Sequence, residues 1–355
     1  MQERRLPRHF MILFVTALLF LLTGCRYKAD DITIIDPPTT EQAASLALER
    51  VDRLDGVYAL GWLSETELLY RTDSETDDEL HIRNLQNGSS KPIGIKAKDT
   101  AQLSHDRTHV LLADRIHAAV GDLTTGSTLP LQIGEADLSG MMADAKGSWA
   151  DNGTYVMPIV KRYEYGVVFI DRGGRVTPYT LPTTNQPVEK VAKHGDRLYY
   201  LDANKQLKMT VWGSHEEKLL HSKVIDFSLS PDGTRLAFAW ETAVDEISLS
   251  ITDSLGSKPD QPIIKGRLLQ QLSWSPDGQR LALSIFSLSQ GMTGLYVMDA
   301  TTGFMLPLST HANLNSEIVW SPSGQRLFVS DGDRWTQDAQ VSTMIYQLKP
   351  FNITE

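Results

Sequence analysis

From residue 68 onward one alternation of apolar and polar positions keeps returning. An apolar stretch is followed by a polar turn that often holds Gly, then by a β-rich stretch that opens on an apolar residue. The clearest copies are 227–238 (FSLSPDGTRLAF), 272–283 (LSWSPDGQRLAL) and 318–329 (IVWSPSGQRLFV), with weaker ones at 61–70, 102–112, 148–159 and 191–200. The first apolar residues after the turns are Leu68, Val110, Val156, Leu198, Leu236, Leu281 and Leu327, at successive spacings of 42, 46, 42, 38, 45 and 46. A period of about 43 residues is that of a four-stranded propeller blade. Ser-Pro-Asp-Gly is a turn with a mechanism, because Pro presets φ, Asp bonds back to the backbone and Gly accepts a positive φ. A later strand in each unit ends in its own polar turn, most regularly at 295–298 before Gly303. The pattern predicts an all-β chain: a β-propeller over 52–355 with seven four-stranded blades, six being the alternative count.

Helical periodicity is confined to 41–50, which follows Pro37 and Pro38 and a weak capping box of Thr39 with Gln42. Propellers commonly close by pairing an N-terminal strand into the last blade, which removes an exposed edge. The last unit has a third strand at 343–348 and only 351–355 beyond it, so its fourth must come from elsewhere. The stretch ITII at 32–35 is the expected closing strand, lying beside 343–348.

Ahead of the repeats, 10–22 is an apolar run of thirteen residues with Thr16 as its polar exception, preceded by Arg4, Arg5 and Arg8. Such a run falls short of the about 20 residues that cross a bilayer and has the size of a secretory h-region. One cysteine, Cys25, follows Leu22, Thr23 and Gly24, so the chain forms no intrachain disulfide and no multi-cysteine zinc site. With 34 basic and 44 acidic residues the formal charge is −10, and removal of 1–24 leaves −12. That balance opposes sequence-independent nucleic-acid binding, which needs Lys and Arg on phosphates.

The run Leu22-Thr23-Gly24-Cys25 resembles the lipobox of bacterial lipoproteins. The resemblance implies that 1–24 is a signal peptide, that Cys25 carries the diacylglyceryl group and, after cleavage, the N-terminus, and that 25–51 is a tether with a short strand and a short helix. Two or more acyl chains, palmitate among them, give stable attachment where one is marginal. The expected location is the extracytoplasmic face of the cell membrane. The SPDG copies, with strands such as 295–299, resemble the repeats of the TolB-type β-propeller, a relative of WD-repeat propellers, over 52–350. The resemblance is to the repeat and not to TolB's function, since TolB's propeller has six blades behind an α/β domain for which this chain lacks room.

Candidate chemistry is sparse. Trp62, Trp149, Trp274 and Trp320 share one repeat position and read as packing between blades, as do Leu68 and its equivalents. His215 and His221 are too far apart on a strand to share an ion, and His105 with His109 lacks a third ligand. The acidic run Asp73, Glu75, Asp77, Asp78 and Glu79 lacks the glycine of a calcium loop. No GxSxG, HExxH, Walker or GxGxxG signature occurs, and no metal or cofactor is expected. Loops between second and third strands are long at 71–79, 240–246, 286–293 and 331–341, and shorter at 161–165. They gather Tyr163, Tyr165, Trp240, Arg334 and Trp335 on one expected binding rim, a composition suited to interaction hot spots.

The functional expectation is a membrane-anchored envelope protein whose propeller is a binding or scaffold module for an envelope protein, a peptide or a glycan. The alternative is a propeller enzyme, a polysaccharide lyase or glycan hydrolase, with its site at the central pore. An enzyme requires His, Asp, Glu or Arg from several blades converging within hydrogen-bond reach.

Overall fold

The computed structural model describes residues 46–72, 79–98, 100–114, 117–131, 146–161, 164–182, 185–257, 261–287, 292–310, 317–332 and 341–349. Among them there are 28 strands and no helix. The chain opens with β1 (Leu48–Asp55) and then lays down its blades in sequence order. Blade one is β2 (Val57–Trp62), β3 (Glu67–Thr72), β4 (Glu79–Asn84) and β5 (Ser90–Lys96). Blade two is β6 (Thr100–Leu103), β7 (His109–Ala113), β8 (Ala118–Asp122) and β9 (Ser127–Pro130). Blade three is β10 (Ser148–Trp149), β11 (Thr154–Lys161), β12 (Glu164–Asp171) and β13 (Val176–Thr180). Blade four is β14 (Val188–His194), β15 (Arg197–Asp202), β16 (Leu207–Val211) and β17 (Glu217–His221). Blade five is β18 (Val224–Leu229), β19 (Arg235–Ala243), β20 (Glu246–Asp253) and β21 (Pro262–Gly266). Blade six is β22 (Leu268–Trp274), β23 (Arg280–Ser287), β24 (Met292–Asp299) and β25 (Met305–Ser309). Blade seven is β26 (Ile318–Trp320), β27 (Arg326–Asp331), β28 (Ser342–Leu348) and β1. All seven sheets are antiparallel and four-stranded, a seven-bladed β-propeller as the repeat spacing predicts.

First strands of neighbouring blades abut one another, as β18 does β22 and β22 does β26, so they are the inner strands of the ring. The apolar core lies between blades. Seven clusters of buried residues each draw on two adjacent blades, the last joining Ala59, Trp62 and Leu68 of blade one to Phe328 and Ile345 of blade seven. Leu68, Val110, Val156, Leu198, Leu236, Leu281 and Leu327 are all at most 1% exposed, as their repeat position requires. In blade three the residue opposite Trp149 is Tyr155, one before the position that spacing alone selects.

The ring closes through an N-terminal strand, but not the expected one. β1 pairs antiparallel with β28 from Leu48 opposite Leu348 to Asp55 opposite Ser342. β28 is bonded on its other side to β27, so neither edge is left for 32–35, which lies outside the described residues. Residues 48–50, which the weak capping box assigned to a helix, are strand, and β1 starts four residues before the expected boundary at 52. Long-range pairing overrides the cap, helped by Leu46, which is 2% exposed in the cluster between blades six and seven.

The repeat motif ties blades together. Within the turn, the Ser230 hydroxyl donates to Asp232 at 2.6 Å and accepts from the Arg235 N–H at 2.9 Å, while Gly233 takes φ 67°. Ser275 repeats this arrangement with Asp277 and Arg280. The Arg that ends the motif then crosses to the next blade. Arg235 bonds the Gly278 carbonyl, Arg280 the Gly324 carbonyl at 3.2 Å, and Arg326 the Glu65 carbonyl. The Arg235 guanidinium also lies 4.8 Å from the Trp274 ring centre and Arg326 5.1 Å from that of Trp62. Each tryptophan in turn donates backward to an inner-strand carbonyl of the preceding blade. Trp149 reaches Gln102 at 2.9 Å, Trp274 Ser228 at 3.1 Å, Trp320 Ser273 at 3.0 Å and Trp62 Val319 at 3.2 Å. These residues are inter-blade packing, as the shared repeat offset implies. Trp274→Phe keeps an aromatic ring but loses the bond to the Ser228 carbonyl, and the lost bond is expected to lower unfolding free energy by about 0.5–1.5 kcal/mol in urea titration.

Candidate functional site

The inner strands carry a second repeat position, less visible than the tryptophan. Three residues before Trp62, Leu103, Trp149, Lys193, Leu229, Trp274 and Trp320 stand Ala59, Thr100, Lys146, Lys190, Asp226, Gln271 and Glu317. A position that is apolar or neutral in blades one and two becomes charged or strongly polar in the other five.

Blades three to six are joined here by direct contacts. The backbone of Lys146 bridges to blade four, its N–H donating to the Glu189 carbonyl at 2.8 Å and its carbonyl accepting from Val191 at 3.0 Å. Lys190 then pairs with Asp226 of blade five, Nζ to Oδ1 at 2.7 Å. The other carboxylate oxygen of Asp226 accepts the Leu272 N–H of blade six at 3.0 Å, and Oδ1 also accepts the Phe227 N–H at 2.8 Å. Burial pushes the Asp226 carboxyl up, but the charges of Lys190 and Lys146 and the Leu272 N–H outweigh it, so it titrates below the ordinary carboxylate value. One carboxylate thus holds three inner strands in register.

Gln271, next to that bond, has φ 61° inside a bulge of β22. It is 8% exposed, its Oε1 accepts from Ser284 at 3.3 Å, and its Nε2 is buried without a hydrogen-bond partner among the described residues. Left-handed backbone at a non-glycine residue is strain that the surrounding packing must hold. Tyr155 donates to the Gln102 side chain at 2.8 Å, and its phenol is pushed up by burial and then by the charge of Glu317 on blade seven. Lys146 and Glu317 are exposed. The described inner strands therefore offer an exposed cation on blade three, a part-buried ion pair across blades four and five and an exposed carboxylate on blade seven. That set can hold a polar ligand by charge and hydrogen bonds. Among the described residues no three His, Cys, Asp or Glu side chains gather as a metal site.

The rim expected from loop lengths is only partly described. Tyr163, Arg334, Trp335 and the lipidation candidate Cys25 lie outside the described residues. Tyr165 is in β12 opposite Val160 and half-buried. Trp240 is not on a loop, because β19 runs on to Ala243. Its indole N–H donates to Ser250 at 3.1 Å and its ring meets His221 of blade four at 4.5 Å, so it packs between blades. The inner-strand position went unread because its side chains differ from blade to blade. The signal was its constant offset from the tryptophan, not residue identity. The cross-blade role of Arg235, Arg280 and Arg326 was legible, since all three copies place Arg at the same step after the turn.

No protein-family model and no curated protein matches the chain. Solved structures do. An oligogalacturonate lyase in complex with manganese superposes with a TM-score of 0.63 at 11% identity, covering 84% of this chain and 91% of its own. The oligogalacturonate lyase of Vibrio parahaemolyticus gives 0.62 at 10% identity, with 85% and 97% covered. The Cps50 β-propeller domain of Myceliophteria thermophila gives 0.57 at 14% identity, with 86% and 100% covered. At such identities the likeness is one of fold, and lyases share it with non-lyase propellers.

Proposed function

We propose that the chain is a lipid-anchored protein on the outer face of a bacterial cytoplasmic membrane, whose propeller binds a partner in the envelope. The observation that carries the anchor is Leu22-Thr23-Gly24-Cys25 at the end of a short apolar run, with the chain's one cysteine in the modified position. From Cys25 the chain leads to β1, which is hydrogen-bonded along its length to β28, so the anchor would pull on a strand built into the ring. The binding reading rests on the inner-strand position, where Lys146, Gln271 and Glu317 accompany the Lys190–Asp226 pair. A lyase or hydrolase would need an acid, a base and a charge stabiliser aimed at one reacting atom. Here the buried carboxylate is already committed to Lys190 and two backbone N–H groups. The loop rim with Tyr163, Tyr165, Arg334 and Trp335 is a second proposed docking face.

Cys25→Ser is expected to move the protein from the membrane to the soluble fraction and to abolish acyl mass on the mature N-terminus. An unmodified cysteine in the wild type would end the anchor reading. For binding, crosslinking in intact membranes should lose partners in Lys146→Glu or in a variant with trimmed 331–341, and retention of every partner in both defeats the proposed faces.

A further inference from the structure

Among the described residues the fourth strand of each blade has one edge with no strand beside it, and such an edge invites pairing with another chain. This molecule blocks it at one repeat position. Counting two residues past the one paired with the tryptophan position in each second strand, which is Tyr155 in blade three, then across the third strand to the fourth, the register lands on proline in five blades. These are Pro92, Pro130, Pro178, Pro262 and Pro307. In the closing blade the same count reaches Arg53, which is ion-paired to Asp55. In blade four it runs from Tyr200 to Lys208 to Leu219. A proline paired on one side only must turn its nitrogen, which has no hydrogen, toward the open side. The equivalent residue shares that orientation. Leu219 therefore presents an outward N–H where five blades have none and the seventh has a charge.

Exposed apolar residues lie on and just before this strand, with the exposed Glu216 and Lys218 between them. Leu219 is 52% exposed, and Trp212 and Val211, just before β17, are 44% and 39% exposed. Trp212 is held firmly, stacked on Tyr179 at 4.7 Å and edge-on to Phe169 at 4.4 Å. We propose that the open edge of β17 receives an extended segment of another protein by strand addition, the segment being apolar at alternate positions and basic rather than acidic. Backbone pairing supplies the affinity and side-chain alternation the selectivity in this mode of recognition. Charge decides the occupant. A chain of net charge −10 attracts a basic segment and repels a second copy of itself. This edge is separate from the inner strands and its test does not read the anchor, so its failure leaves the proposed function standing.

The test uses a fluorescent alternating valine–lysine heptapeptide, its alternately N-methylated form and a valine–glutamate counterpart. With wild-type protein the first should bind and slow amide exchange at 217–221. Leu219→Pro, which restores the block without touching the β16 pairing, should weaken binding at least about tenfold with an unchanged melting temperature. N-methylation should have the same effect, and the glutamate peptide should bind least. If Leu219→Pro fails to fold, Leu219→Lys should weaken the basic peptide by a similar factor. Equal binding by a folded Leu219 variant, protection mapped to other residues, or dimerisation with protection of 217–221 in the absence of peptide would each overturn the proposal.

Discussion

A chain that starts at Gly56, and so lacks β1, is expected to melt at least about 5 °C below the intact protein, equivalent to about 3 kcal/mol at this chain length. The loss is large because β1 completes blade seven. Without it β28 keeps one partner, and Leu46 and Leu54 leave the clusters on either side of that blade. Every other blade is closed by hairpin connections within one stretch of sequence, whereas this one joins residues about three hundred positions apart. A peptide of residues 46–56 added in trans should restore part of the melting temperature, read by calorimetry or circular dichroism. Unchanged melting in the truncated chain would show that the ring does not depend on this strand.

Asp226→Ala is expected to cost about 3–5 kcal/mol, because it strands Lys190 without its counter-charge and frees the Leu272 N–H. The double variant with Lys190→Met should recover much of that loss, since it removes the uncompensated charge as well. The same carboxylate sets an acid dependence. Its folded pKa lies below the reference value of 3.8, so its contribution is fully present above that value and is lost as pH falls through the folded pKa. Unfolding free energy of the wild type should therefore drop below about pH 4 more steeply than that of Asp226→Asn. Parallel pH profiles for the two proteins would remove Asp226 from its assigned role.

The blades were legible because a repeat is written into local chemistry. Turn residues at fixed offsets and the buried apolar residue after each turn follow from backbone sterics and from the need to bury one strand face, and both act within about a dozen residues. The closing strand was misread for the opposite reason. ITII at 32–35 has stronger β propensity than LERVDRLD at 48–55, yet the latter pairs with β28. Its charges sit on an outer edge where alternation, not hydrophobicity, is what the sheet requires. Trp240 was misread because the end of a strand that outruns its neighbours cannot be told from a loop by composition. The Lys146, Lys190, Asp226 and Gln271 position escaped notice because its meaning lies in which blade stands next to which.

By itself the sequence determined the module, its number of copies, the apolar positions on which neighbouring blades meet and the lipobox-like run before Cys25, all of which depend on residues close together in the chain. The tertiary structure alone decided which strand closes the ring, which inner-strand carboxylate meets which lysine, and which outer edge lacks its proline. Those are pairings across blades, set by register and ring geometry. A one-residue change of register moves every such contact while leaving the local pattern intact.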